Sequence, residues 1–312
     1  MTYASGGIIA AADYNTLRSN GSNIYDHFST GTGQRGLGQT SPSLTTVSAG
    51  TTITATQWTN LITAINKTLV HQGDAAFSPA SVAAGGIITY YSTLTAKSAL
   101  AYTNAGTTAG LARSDATVVN TDRGPGNDWG TVAGNDTLTF SNTVTFADGN
   151  SARYFFNGGG LIKLTFSRTG AAAHTRDTEF STLCTDCGTV TFGYRNTTKV
   201  GGGGATPTVL LNANNGGYWS GTGSPVIHFH QLDNVGNYSA SYIKVSYHWT
   251  GTAQNGGSPV LNLTTEMFCT LVGATNSITG TTRVGIVVSS PSTAQIANTW
   301  GTPTVGGSVS AG

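Results

Sequence analysis

From residue 137 onward the chain alternates. Leu138, Phe140, Val144 and Phe146 are apolar, while Thr137, Thr139, Thr143 and Thr145 are polar. Successive side chains of an extended backbone point to opposite faces. A period of two therefore predicts a strand pair or one long strand, with one face wetted. Further candidate strands are Tyr154–Phe156, Leu161–Phe166, Thr189–Tyr194, Thr208–Leu211, Val226–Gln231, Ser241–Trp249, Val260–Thr264, Met267–Val272 and Thr282–Val288. Turn-rich stretches such as Asn157-Gly158-Gly159-Gly160, Asn214-Asn215-Gly216-Gly217 and Asn255-Gly256-Gly257 separate them. About ten short strands at this spacing predict a mostly β protein built on an antiparallel, jelly-roll-like β-sandwich.

Composition narrows the class. Glutamate occurs only at Glu179 and Glu266, charged residues make up 9%, and threonine outnumbers even the 43 glycines. A coiled coil or helical bundle needs glutamate and lysine that this chain lacks. A net charge of +1 gives no basic surplus for binding nucleic acid. A hydrophobic share of 38% argues against disorder. Threonine is β-branched and suits a half-exposed strand; glycine suits tight turns. No apolar run approaches the length of about 18 residues that a membrane span needs. Met1-Thr2-Tyr3-Ala4-Ser5-Gly6-Gly7 has no basic region before an apolar stretch, so synthesis in a cytoplasm is expected. Three cysteines are too few for a disulfide framework.

The first 75 residues have another rhythm. Ile9 to Leu17 and Ile53 to Leu61 match, with Ile, Ala, an aromatic and Leu at the same places. In the second copy Trp58, Leu61, Ile62, Ile65 and Leu69 form one helical stripe. Thr54 and Gln57 make a capping box, and Gly73 offers a stop. The first copy puts Tyr14, Leu17, Ile24 or Tyr25, and Phe28 on a similar stripe, with a break at Gly21. A Gly-Gly-Ile-Ile entry recurs at Gly85-Gly86-Ile87-Ile88 and marks a third, degenerate helix near Thr89 to Tyr102. Short amphipathic helices must bury their stripes against each other or against a partner. The expected organisation is a helical docking module over 1–105, a turn-dense connector over 106–135, the sandwich over 136–290 and an extended C-terminal tail over 291–312. The docking interface is expected at Tyr14, Leu17, Trp58, Leu61, Ile62, Ile65 and Leu69.

Motifs that suggest chemistry have simpler readings. Gly31-Thr32-Gly33-Gln34-Arg35-Gly36 has dinucleotide-loop spacing, but a helix precedes it and a Ser/Pro loop follows. Cys184-Thr185-Asp186-Cys187 has the spacing of half a zinc site. Its simpler reading is two cysteines at a strand-edge turn, partly buried or oxidised to each other. His228 and His230 would share one strand face, with Ile227 and Phe229 turned to the core. Gathered on a three-fold axis they would offer six nitrogens to a transition metal; otherwise they are two surface histidines. Arg176-Asp177-Thr178-Glu179, the densest acidic group, reads as a solvated turn. Tyr218-Trp219 and His248-Trp249 are candidates for stacking on sugar rings, against a core or interface role. No cofactor and no enzymatic activity are expected.

Several stretches together suggest a family. Ile9-x-Ala11-x-x-Tyr14-Asn15-x-Leu17, Gly31-x-Gly33 to Gly36-x-Gly38-Gln39, and Ile53-Thr54-Ala55-x-Gln57-Trp58-x-Asn60-Leu61 ending at His71-Gln72-Gly73 resemble the start of tail-associated virion proteins of tailed bacteriophages, cyanophages especially. So do Thr143-Val144-Thr145-Phe146-Ala147-Asp148-Gly149-Asn150, Arg153 to Lys163, and Phe166-Ser167-Arg168-Thr169-Gly170. The resemblance covers 1–75 and 137–195 well and the remainder loosely. It implies a structural, fibre- or baseplate-like protein of the virion tail, synthesised in the host cytoplasm, and brings no catalytic residues. The expected partners are other tail or baseplate proteins, further copies of the chain in a trimer or hexamer, and a host surface glycan. A receptor-binding role and a capsid or neck decoration role are the alternatives.

Overall fold

The computed structural model describes residues 9–19, 44–71, 74–78, 88, 90–103, 112–130, 136–193, 196–211, 223–234, 236–250, 259–270 and 276–311. The chain divides into two compact units. One comprises Met1–Arg113, Asn157–Gly159 and Pro291–Thr299; the other comprises Ser114–Phe156, Gly160–Ser290 and Trp300–Gly312.

The first unit holds helices α1 (Ala11–Ser19), α2 (Ala55–His71) and α3 (Tyr91–Thr103). The capping box opens α2: Gln57 N–H donates to Thr54 Oγ1 at 3.2 Å, and Thr54 N–H donates to Gln57 Oε1 at 2.9 Å. Trp58 is the hub. Its ring stacks on Tyr91 at 6.3 Å and tilts against Tyr14 and Tyr90. Its indole N–H donates to Tyr90 Oη at 3.1 Å. Two side-chain amides clamp extended segments. Asn15 exchanges two hydrogen bonds with the Val47 backbone, and Asn66 does the same with Phe77.

The second unit is mostly β. Strands β1 (Arg113–Asp115), β2 (Val119–Arg123), β4 (Leu161–Thr169), β5 (Thr189–Phe192), β6 (Thr197–Val200) and β11 (Thr281–Pro291) make one antiparallel sheet, in the order β1-β11-β4-β5-β6 with β2 also on β11. Strands β3 (Asp136–Thr145), β7 (Val209–Leu210), β8 (Val226–Leu232), β9 (Tyr242–Trp249), β10 (Val260–Cys269) and β12 (Thr304–Ala311) make the other, in the order β12-β3-β10-β9-β8-β7. This is the antiparallel sandwich the alternation predicts. Phe166 stacks on Phe229, and Phe192 meets Tyr247 edge-on, across the interior between the sheets.

Helices α4 (Gly149–Asn157) and α5 (Thr175–Asp186) are inserted into this unit. Tyr154–Phe156, expected as a strand, lies in α4. Asp148 caps it, accepting from Ser151 N–H at 2.7 Å, and Gly159 leaves it at φ 94°. Phe155 and Phe156 pack against Phe146. Val260–Thr264 and Met267–Val272, expected as two strands, run together as β10 over the described residues.

Two boundaries also differ from expectation. The connector over 106–135 contributes β1 and β2, and Trp129 bridges to Ile278. Within 291–312, Thr304–Ala311 is not an extended tail; it pairs with β3 from Thr304↔Thr145 to Ala311↔Leu138.

Candidate functional site

The residues expected to dock the front module are turned inward. Tyr14, Leu17, Trp58, Leu61, Ile65 and Leu69 are buried, and Ile62 is half-buried. The helices satisfy one another through the Trp58 cluster, so this stripe is no exposed interface. That corrects the expectation of a docking stripe at the six buried positions.

The candidate metal ligands are separated. A β-bulge between Ile227 and Phe229 inserts His228 into the core, where it is 1% exposed, and leaves Ile227 43% exposed. The expected facing is thus reversed at both positions. The His228 ring lies flat on Tyr247 at 3.6 Å, with Nδ1 at 3.3 Å from Thr197 Oγ1. Burial pushes its pKa down to about 3. His230 stays on the outer face, hydrogen-bonded to Thr208. Burial, then the neighbouring Lys244 ammonium, lower its pKa.

Cys184 sits on α5 and Cys187 caps its end. Both are free and buried, as is Cys269, so they are neither paired with each other nor at a strand-edge turn. Burial raises the Cys184 thiol to about 12 and pushes those of Cys187 and Cys269 up as well. Among the described residues, no group of three or more His, Cys, Asp or Glu side chains is placed to hold a metal ion.

The acidic group is not a solvated turn. Arg176 and Asp177 occupy the first turn of α5 and are 1% and 0% exposed. Asp177 pairs with Arg168 at 2.5 Å and accepts from Thr279 N–H and Oγ1 at 3.0 and 2.8 Å. Arg176 caps carbonyls instead, donating to Asn276 O at 3.0 Å and Cys269 O at 3.3 Å. Arg176 and Asp177 thus both have polar partners inside the fold, as burial demands. Trp249 is 0% exposed and belongs to the core. Tyr218, Trp219 and the Gly31–Gly36 segment lie outside the described residues.

What the fold assembles is the outer face of the β12-β3-β10-β9 sheet. Register places Ser308 beside Ser141, Ser141 beside Thr264, and Thr264 beside Ser246. The next rung runs Gly306, Thr143, Asn262, His248. The residues around these two rungs form an open groove of about 460 Å³, lined chiefly by Ser141, Thr143, His248, Asn262, Thr264 and Ser308. On the other side of the Ser141–Thr264 rung, Glu266 pairs with Lys244 at 2.6 Å. The groove thus offers hydroxyl, amide and imidazole groups on a β-sheet floor, flanked by one compensated ion pair. The sequence signalled β3, β9 and β10 as strands, but not that long-range pairing sets them and β12 side by side on this face. The chain matches no family model, and no curated protein or solved structure matches it.

Proposed function

We propose that the chain is a structural protein of a bacteriophage tail, fibre- or baseplate-like, that works by packing and contact rather than by catalysis. The observation that carries this reading is the outer sheet face, an array of hydroxyl and amide side chains on a sandwich whose Arg168–Asp177 pair is buried within it. Such a face suits subunit packing, because it presents directional hydrogen bonds with little charge to desolvate. The family resemblance supports the same reading. Many of its quoted residues, such as Trp58, Leu61, Phe146, Arg153 and Phe156, are buried here, so it rests on the framework of the fold. The first unit would attach through its exterior, since its apolar stripe is internal. Gradient-purified particles from cells making the chain test this: the reading requires the chain at fixed stoichiometry with known tail proteins, and its absence from particles would contradict it.

The groove favours a second reading, binding of a host surface glycan. Its size and its hydroxyl, amide and imidazole lining match what a sugar needs for hydrogen bonding. A glycan array with the full chain should then give hits that His248→Ala and Asn262→Ala each weaken at least about tenfold. Hits unaffected by both variants would remove the groove from the reading.

A further inference from the structure

Among the described strands, β12 has a neighbour on one side only. Ladder parity shows which of its groups are open. Phe146 N–H donates to Pro259 O, so even-numbered residues of β3 turn their backbone groups towards β10 and odd-numbered ones towards β12. Those odd residues, Thr139, Ser141, Thr143 and Thr145, pair with Ser310, Ser308, Gly306 and Thr304. Val305, Gly307, Val309 and Ala311 therefore aim both N–H and C=O along the outer edge.

Such an edge is a template for another strand, and proteins usually blunt it with charge, proline, bulges or brevity. The other edges among the described strands are blunted. β7 has 2 residues, β1 has 3, and β6 has 4 with Lys199 among them. β2 carries Asp122 and Arg123 within 5 residues. β12 runs for 8 residues in unbroken register, without charge or proline. Its inner face is already occupied, because Gly307 lies directly against Asn142 and Thr121. The edge is what remains.

We propose that β12 pairs antiparallel with β12 of a second copy of this chain about a two-fold axis, joining two six-stranded sheets into one. The strand is self-complementary in this arrangement. An axis through Ser308 sets Val305 opposite Ala311 of the partner subunit and Gly307 opposite Val309 of the partner subunit. All four outward residues on each strand then meet outward residues. An axis through Gly307 leaves Ala311 unmatched. Neither β12 nor the adjacent outer row of β3, Thr139 to Thr145, carries a charge, so two copies meet without the like-charge repulsion a charged edge would impose. The two serine-threonine faces become continuous across the axis. A two-fold contact builds a dimer or a dihedral hexamer; it has no place in a simple three-fold ring. The pairing needs only the chain itself, so it stands or falls separately from the tail assignment.

The test uses the full chain in sedimentation velocity over a concentration series, with three variants at exposed positions. Ser308 would face its own copy at a non-hydrogen-bonded pair, with Cα atoms about 4.5 Å apart, within disulfide reach. Ser308→Cys should cross-link under mild oxidation, over a low background from the buried native cysteines. Ser310→Cys, which would face Gly306, should cross-link less. Ser308→Lys sets two ammonium groups together and should weaken dimerisation at least about tenfold. A wild-type chain that is monomeric throughout, or a dimer that Ser308→Lys leaves intact, overturns the proposal. The reverse cross-linking order overturns the register.

Discussion

His228 is enclosed by Phe192 and Tyr247, and burial holds its pKa near about 3 instead of 6.5. Between those values the unfolded chain binds a proton that the folded chain refuses. Stability therefore falls with pH below 6.5, by about 1.4 kcal/mol per pH unit from this group. Asp233 acts in the opposite sense. Burial, then Glu179 and Asp186, raise its carboxyl from 3.8 to about 6. Its contribution is present below pH 3.8 and is lost as pH rises through 6. Urea titrations from pH 7 to pH 4 should show a shallower acid loss for His228→Gln than for the wild type; parallel profiles would contradict the buried neutral imidazole. Asp177→Asn strands the Arg168 guanidinium, which has 0% side-chain exposure. Urea unfolding should register a loss of about 3–5 kcal/mol, and a loss under about 1 kcal/mol would mean that the pair is not the internal staple described.

At the scale of elements, local signals were legible and competing ones were not. The start of α2 could be read because Thr54 and Gln57 satisfy each other within a single turn. α4 was missed because three aromatic residues in a row fit a strand as well as a helix; Asp148 before Ser151 was the overlooked cap. α5 was missed because threonine has low helix propensity. In the fold, Thr178, Thr182 and Thr185 each donate to the carbonyl four residues back, which satisfies their hydroxyls within the helix. β12 was missed because its glycines suggest a loose tail. Gly307 is there because Asn142 and Thr121 leave no room for a side chain. Gly307→Ala should loosen β12 from β3, costing about 1–3 kcal/mol and reducing hydrogen-exchange protection along Thr304–Ala311. Unchanged protection would contradict that close approach.

For the whole molecule, period and composition were enough to identify a mostly β sandwich, since alternation is a local property. Strand order was not legible, because pairing β12 with β3 or β2 with β11 joins segments distant in sequence. The candidate groove escaped for the same reason: Ser141, Asn262, His248 and Ser308 come from four strands. The helical stripe of the first unit was seen, but its partner was misassigned, since a stripe does not say whether it meets its own chain or another. The proposed tail role is tested most directly by immunogold labelling of intact particles released from cells that make the chain, with antibody raised against the full chain. Gold at the tail or its fibres is the expected result. Particles without label, or label confined to their heads, would contradict a tail structural role.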